Sequence, residues 1–478
     1  MSLLYIMNNV KYVAIFLPLF LSYFLQTAPI ISYFSAWIGS FLLFYLSLTG
    51  FIAPLPNDLP FAQQMMRPII IIQLIFCGFN FCSSIFNFLD TLGMQDWEWR
   101  PNYFVDMEKV RKVADAQRYY LLGHISLLLG MYSKNIRLVK QKFKLREDLD
   151  WNIFLLFFTF FGVIISFVTR FIPGFGQVSE QFHNLSFLSG TYALCYAIVS
   201  KNRNLIVYAG AFYIYNFIQI MVSGMKEPII ISFMLVCVFM YPYYRKIVLI
   251  SIIPVIYICF VLVPAYVQAF RGMTMSQENV SNLTDVRDKA LSEALDKKES
   301  NWEFLTGRLS EISMFTIYIE STPKRIPYYG IQFVEQALIV LVPRIVWKDK
   351  PITEHLVMQR VYDAGVVSDM AKVSAKPMYI VDGYLSGGVF GIMLSMFIYG
   401  FALQYLCGLA ESWFGGYFLG TAIMFNGLFS IFWRGLSFEF ILNVVLYSVL
   451  TMWVVQRILY SYDFLEEIHD DNPLNAVL

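Results

Sequence analysis

Apolar runs of roughly 17–25 residues, the length an α-helix needs to cross a bilayer, recur about twelve times in this chain. They fall at 11–27, 29–53, 68–90, 117–133, 152–172, 184–200, 204–223, 227–244, 247–269, 379–407, 414–433 and 436–458. A sequence that is 58% hydrophobic, 18% aromatic and only 14% charged cannot hide its apolar surface in a water-soluble core, so lipid is the solvent for most of it. Pro18, Pro242 and Pro254 are expected to kink or end their helices rather than abolish them. The first run lacks a basic leader and a small-residue cleavage site, and reads as a first transmembrane helix. All six cysteines sit inside apolar segments without metal-ligand spacing, which argues against a disulfide framework or a zinc site.

Orientation follows from the short connections. Lys134, Arg137, Lys140, Lys142, Lys144 and Arg146 crowd one, Lys201 and Arg203 mark a second, and Arg245 and Lys246 a third. All three are cytoplasmic only if the chain alternates as given, which puts both termini in the cytoplasm. The connections 91–116, 173–183, 224–226, 270–378 and 434–435 then face the other side. The expected fold is all-α: a polytopic membrane protein of about twelve transmembrane helices with one large extracytoplasmic loop. Residues 1–269 would form an N-terminal bundle of about nine helices, 270–378 the loop, and 379–478 about three further helices and a cytoplasmic tail.

Within the loop, Leu283, Val286, Ala290, Leu291, Ala294 and Leu295 recur at helical spacing and predict an amphipathic helix. A second helix is expected from Trp302 to Ser321, where Thr322-Pro323 stops it. The run Phe333 to Val342 is too short to cross and reads as interfacial or re-entrant.

Ionisable groups are nearly absent from the middle of the runs, His124 excepted, and a lone helical His ordinarily packs. That scarcity argues against proton- or ion-coupled transport. Charges instead gather at the non-cytoplasmic ends: Lys226-Glu227, Arg271, Arg308, Glu311, Arg344, Lys348, Lys350, His355, Asp382 and Arg434. Singly, each cation is explained by snorkelling to head groups, and Arg308 with Glu311 by an intrahelical pair. Together, cations from separate segments at one depth predict a pocket for an anion, against the usual sidedness of positive charge. Arginine and lysine there stabilise a departing pyrophosphate without a metal, so no cofactor is expected. A transfer to a sugar hydroxyl needs a base as well, for which Glu227, Glu311, His355 and Asp382 are candidates. Trp97-Glu98-Trp99-Arg100 and Trp347 suit stacking on sugar rings, although Trp is also a common interfacial anchor.

The stretch Arg308-Leu-Ser-Glu311, Thr322-Pro323, Tyr329-Gly330 and Pro343-Arg344-Ile-Val-Trp347-Lys-Asp-Lys350-Pro351 resembles the Wzy-type O-antigen and exopolysaccharide repeat-unit polymerases of bacteria. Tyr379-Ile-Val-Asp382-Gly383 and Gly387-Gly388-Val389-Phe390-Gly391 are similar to the glycine-rich entry to the next helix in that family. Ser223-Gly224-Met225-Lys226 is similar to its Ser-Gly-x-Arg turn, with lysine replacing arginine and losing the bidentate phosphate contact. Lys348 stands where the family often has proline.

The resemblance implies a GT-C-like fold in the bacterial inner membrane. It implies metal-independent transfer of a growing glycan from undecaprenyl pyrophosphate to a hydroxyl of a new lipid-linked repeat unit. Lys226, Arg271 and Arg344 would hold the pyrophosphate, with Arg308, Lys348, Lys350 and Arg434 in support; Arg271, Arg344, Glu311, His355 and Asp382 would be the catalytic set. The implied partners are undecaprenyl-pyrophosphate-linked oligosaccharides, the bilayer, and a flippase and chain-length regulator of the same pathway, with no nucleic acid. An O-antigen ligase shares the donor and differs in its acceptor. A lipid-linked oligosaccharide flippase or transporter would call for related halves or charged intramembrane residues, and the sequence shows neither.

Overall fold

The computed structural model describes residues 3–468 except 134–139, 173, 223–225, 259–261, 277–282, 297–301, 343–346, 348 and 369–374. At 3–10, 12, 152, 226–227, 271, 274–276, 283–284, 295–296 and 308 it describes the backbone alone.

The N-terminal half is a run of helices: α1 (Leu3–Phe24), α2 (Pro29–Leu48), α3 (Pro68–Cys77), α4 (Ser84–Thr91), α5 (Met107–Ser133) and α6 (Trp151–Arg170). It continues through α7 (Gly176–Ser200), α8 (Arg203–Val222), α9 (Lys226–Met240), α10 (Arg245–Tyr257) and α11 (Val263–Ser276). Then come α12 (Leu283–Asp296), α13 (Ile312–Ser321), α14 (Gln332–Leu341), α15 (Thr353–Ala364) and α16 (Tyr379–Trp413). The chain ends with α17 (Asn426–Leu428), α18 (Ile431–Arg434) and α19 (Phe438–Ser461).

Proline opens α2 and α3 at the first helical turn, where its missing N–H costs nothing. Pro18 and Pro254 lie inside α1 and α10, while Pro242 falls just beyond the end of α9. Among the described residues, six helical stretches are long and apolar enough to cross a bilayer: Pro29–Leu48, Pro68–Thr91, Ile153–Arg170, Arg203–Val222, Tyr379–Trp413 and Phe438–Ser461. With almost no sheet beside them, they make the chain an all-α, multi-pass membrane protein.

Several expected elements are broken. The run 379–407 is not one helix, because α16 is interrupted at Gly387 and Gly388, the latter at φ 64 and ψ −135. Gly383 and Gly391 touch across the break, so Tyr379–Ser386 folds back on the rest of the helix; a Cβ on Gly391 would overlap the Gly383 carbonyl. The loop segment at Tyr329-Gly330 docks there, its N–H groups donating to the Leu385 and Ser386 carbonyls at 3.0 and 3.1 Å.

The helix expected from Trp302 to Ser321 is also split. Phe304–Leu309 is π-wound, Ser310 is extended (φ −92, ψ 118), and α13 starts only at Ile312. Arg308 and Glu311 therefore do not share one helical face. The run 414–433 is a π-wound segment, Tyr417–Phe425, that passes through α17 and then loses helical form at Phe429.

One apolar core runs through α1 to α7 and α16 to α19, and a second joins α8, α9, α11 and α12 around Ile220, Val267, Phe270, Val286 and Ala290. The core's closest crossing is that of α5 with α16. A Cβ on Gly130 would overlap the Phe397 carbonyl, and one on Gly400 the Leu127 carbonyl. Small residues let helix backbones meet in this way in lipid, where packing rather than water drives association.

Sidedness is internally consistent. Strand β3 (Phe143–Leu145) pairs antiparallel with β4 (Leu465–Glu467), with Lys144 bonded to Glu466 at 3.2 Å, so the basic connection and the C-terminal segment share a side. The hairpin of β1 (Met94–Gln95) and β2 (Glu98–Trp99) sits instead against the loop helices, Trp97 meeting Trp302 edge-on at 5.4 Å.

Gly400→Leu should lower stability by about 1–3 kcal/mol, the range for overpacked sites, seen as a lower thermal midpoint of detergent-purified protein. Gly210→Ala, whose nearest new neighbour would be Leu194 at 3.8 Å, should leave that midpoint within experimental scatter.

Candidate functional site

The interrupted stretch from Phe429 to Gly435, non-helical on either side of the single turn α18, is the place to start. Non-helical backbone inside a bundle persists only where it is buried in protein or lines a cavity, and here both hold. Tyr399 donates its hydroxyl to the Phe432 carbonyl at 2.5 Å, and Tyr379 N–H donates to the Gly435 carbonyl at 2.7 Å. Trp433 Nε1 donates to Asn426 Oδ1 at 3.2 Å, while the Asn426 amide donates to the Met66 carbonyl at 3.0 Å. Asn184 Nδ2 on α7 reaches Ser430 Oγ at 3.2 Å. Gly435, at φ 56, makes the left-handed turn that leads to α19.

These ties hold Arg434 at the edge of a cavity of about 210 Å³ bordered by α7, α8, α9 and the 426–434 stretch. Native interiors seldom contain voids larger than one water, so a space with room for on the order of ten waters is a built feature, not a packing flaw. Its lining is of two chemical kinds. Glu180, His183, Asn184, Gln219, Asn426, Ser430 and Arg434 supply polar groups, whereas Phe187, Leu188, Ile220, Pro228, Ile231 and Leu235 are apolar. A narrower recess continues past Glu180 and Arg434 toward Gln177 and Gln181. On the other side of the 432–435 backbone, Arg434 also borders a small void beside the π-wound turn Gly78–Cys82.

The turn carrying Arg434 is braced from the loop side. Arg360, in α15, is 1% exposed and holds Glu439, at the start of α19, through two hydrogen bonds of 2.5 and 2.9 Å. It also reaches Asp382 Oδ1 at 3.2 Å and Gln336 at 2.9 Å, and its guanidinium lies 4.8 Å from the Phe333 ring centre. Asp382 Oδ2 accepts the Phe438 N–H at 2.8 Å. Burial disfavours the Arg360 charge, but Asp382 and Glu439 more than offset this, and the guanidinium stays protonated more firmly than usual.

The residues expected from the sequence fall in different places. Arg434 lines the cavity. Lys226 opens α9, the helix whose Pro228 walls the cavity, and Arg271 lies in α11 beside Phe270; the side chains of both are outside the described residues, as is that of Arg308. Arg344 and Lys348 lie wholly outside them. Lys350 is buried and donates to the Val340 and Val342 carbonyls at 2.6 and 2.9 Å, capping the C-terminus of α14. Asp382 is not open to a substrate, because Arg360 and the Phe438 N–H occupy its oxygens. His355, expected in a loop, is exposed in the first turn of α15. Glu311 precedes α13 and is not among the cavity lining. Trp97, Trp99 and Trp347 are exposed away from the cavity, Trp97 in a left-handed conformation at φ 70. His124 is fully buried against Gln73 at 3.1 Å, between Phe76 and Phe81.

Glu180 and His183 were missed, and so were Arg360 and Glu439. The first two lie in the connection 173–183, on the side already assigned to Arg434 and Lys226, so position alone pointed to them. Arg360 carried no such mark, being one charge in a polar helix.

Taken together, these features define a polytopic helical membrane protein with an amphipathic, cation-bearing cavity between its helices. Over residues 17–467 the chain matches the family described as a domain of unknown function, DUF8712, and it belongs to that family. No curated protein and no solved structure matches it.

Removing one member of a buried ion cluster leaves an uncompensated charge at a cost of about 3–5 kcal/mol. Arg360→Met should therefore abolish the folded, monodisperse protein in size-exclusion chromatography. Asp382→Asn, which leaves the Arg360–Glu439 pair intact, should fold with a lowered thermal midpoint.

Proposed function

We propose that the protein is a membrane glycosyltransferase of the repeat-unit polymerase kind. It would transfer a growing glycan from undecaprenyl pyrophosphate to a hydroxyl of a lipid-linked repeat unit, on the extracytoplasmic side of a bacterial inner membrane. Both termini would be cytoplasmic, in a GT-C-like arrangement of about twelve spans. The observation that carries this is the amphipathic lining of the cavity, which combines Arg434 and other polar groups with apolar side chains of α8 and α9.

A lipid-linked diphosphate asks for that combination. Its diphosphate needs a guanidinium, which supplies paired donors and never loses its charge, and its tail needs apolar surface. At about 210 Å³ the space suits a head group and adjoining sugar, well short of a whole glycan, so the polymer would leave through the open side. Lys226 is the first residue of α9, whose Pro228, Ile231 and Leu235 line the cavity. A flippase and a chain-length regulator would be its pathway partners.

Arg434→Ala should abolish long-chain glycan in a deletion strain complemented with the variant, with a single lipid-bound repeat unit accumulating. It should also weaken undecaprenyl pyrophosphate binding by the purified protein at least tenfold. Polymer that forms normally but is never passed to lipid A would indicate a ligase instead, and a wild-type glycan ladder from the variant would remove Arg434 from the site.

A further inference from the structure

Among the described residues, three titratable side chains line this cavity: Glu180, His183 and Arg434. Glu180 and His183 are three apart on α7, so they project from neighbouring turns of one helix face. His183 is half-buried, whereas Glu180 is exposed. Resting on the transferase function proposed above, we propose that His183 is the base that takes the acceptor's proton, and that Glu180 positions and stabilises it in its charged form.

The chemistry balances at these groups. A ring nitrogen of His183 accepts the proton of the acceptor hydroxyl as that oxygen bonds to the anomeric carbon of the donor sugar. The bond from that carbon to the phosphate oxygen breaks, and its electron pair leaves with the pyrophosphate, whose charge Arg434 offsets. The imidazolium so formed lies one turn from the Glu180 carboxylate and later releases its proton to solvent.

Imidazole suits this step because its ordinary pKa lies near neutrality, where a base is both unprotonated and strong enough. His183 stands just ahead of the apolar run 184–200. Burial pushes its pKa down, the Glu180 carboxylate opposes this, and Arg170 on α6 adds to the depression. Arg434 lines the same cavity, and Lys226 and Glu227 open α9, the helix whose Pro228 also lines it. The sign of a test follows: removing the Glu180 charge lowers the His183 pKa, so the unprotonated base persists to more acidic pH.

The test uses full-length protein in proteoliposomes with lipid-linked repeat units extracted from a polymerase-deletion strain, assayed between about pH 5 and 9. Binding of undecaprenyl pyrophosphate is measured alongside. His183→Gln should lower turnover at least ~100-fold, the low end for general base catalysis, and leave that binding within about threefold of wild type. Glu180→Gln should slow turnover and move the acidic limb of the rate profile to lower pH. If His183→Gln polymerises within threefold of wild type, or the Glu180→Gln limb stays in place or moves upward, the assignment falls while the transferase function stands. If wild-type protein binds no undecaprenyl pyrophosphate and extends no glycan, the function beneath it falls.

Discussion

A single guanidinium with no access to water joins three parts of this chain that are remote in sequence. Arg360 binds Asp382 and Glu439, 22 and 79 residues away, and all three side chains are at most 3% exposed. Taking such charges out of water costs several kcal/mol per ion, recovered only by near-ideal geometry and by further hydrogen bonds. The two bonds to Glu439, the Gln336 carbonyl and the Phe438 N–H provide them. What the cluster fixes is position: it clamps α15 onto the first turns of α16 and α19, and the Gly435 turn with Arg434 hangs between those two points.

From that clamp the rest of the site follows in order. The folded-back Tyr379–Ser386 segment exists because Gly387 and Gly388 break α16 and because glycines at 383 and 391 allow the two pieces to touch. Its first residue holds the Gly435 carbonyl. The neighbouring π-wound stretch and the bend after Leu428 leave helical packing incomplete, and the gap beside α7 and α9 is the cavity. Irregular backbone, a cation and an unfilled space coincide there.

The sequence made the helices legible wherever lipid dictates pattern. Long apolar runs and prolines at starts and stops described the all-helical membrane class. Hydropathy could not reveal breaks made by backbone geometry. Gly387–Gly388 and Tyr417–Phe425 are as apolar as unbroken spans, and only the left-handed φ at Gly388 and the π-winding set them apart. Asp382 was recognisable as unusual, but not as a buried anchor, because its partners obey no helical period. Lys350 looked like an open cation since its hydrophobic neighbourhood is formed by residues folded over it. Glu180 and His183 lay within reach of the same topological argument that selected Arg434, whereas Arg360 did not.

The most direct trial is a cryo-electron microscopy map of the full-length protein in lipid nanodiscs with undecaprenyl pyrophosphate. Density for the diphosphate within hydrogen-bonding distance of the Arg434 guanidinium, with the prenyl chain leaving along α8 and α9, is the predicted result. A diphosphate seated elsewhere, with Arg434 turned into a cavity filled by side chains or lipid tails, would contradict the account.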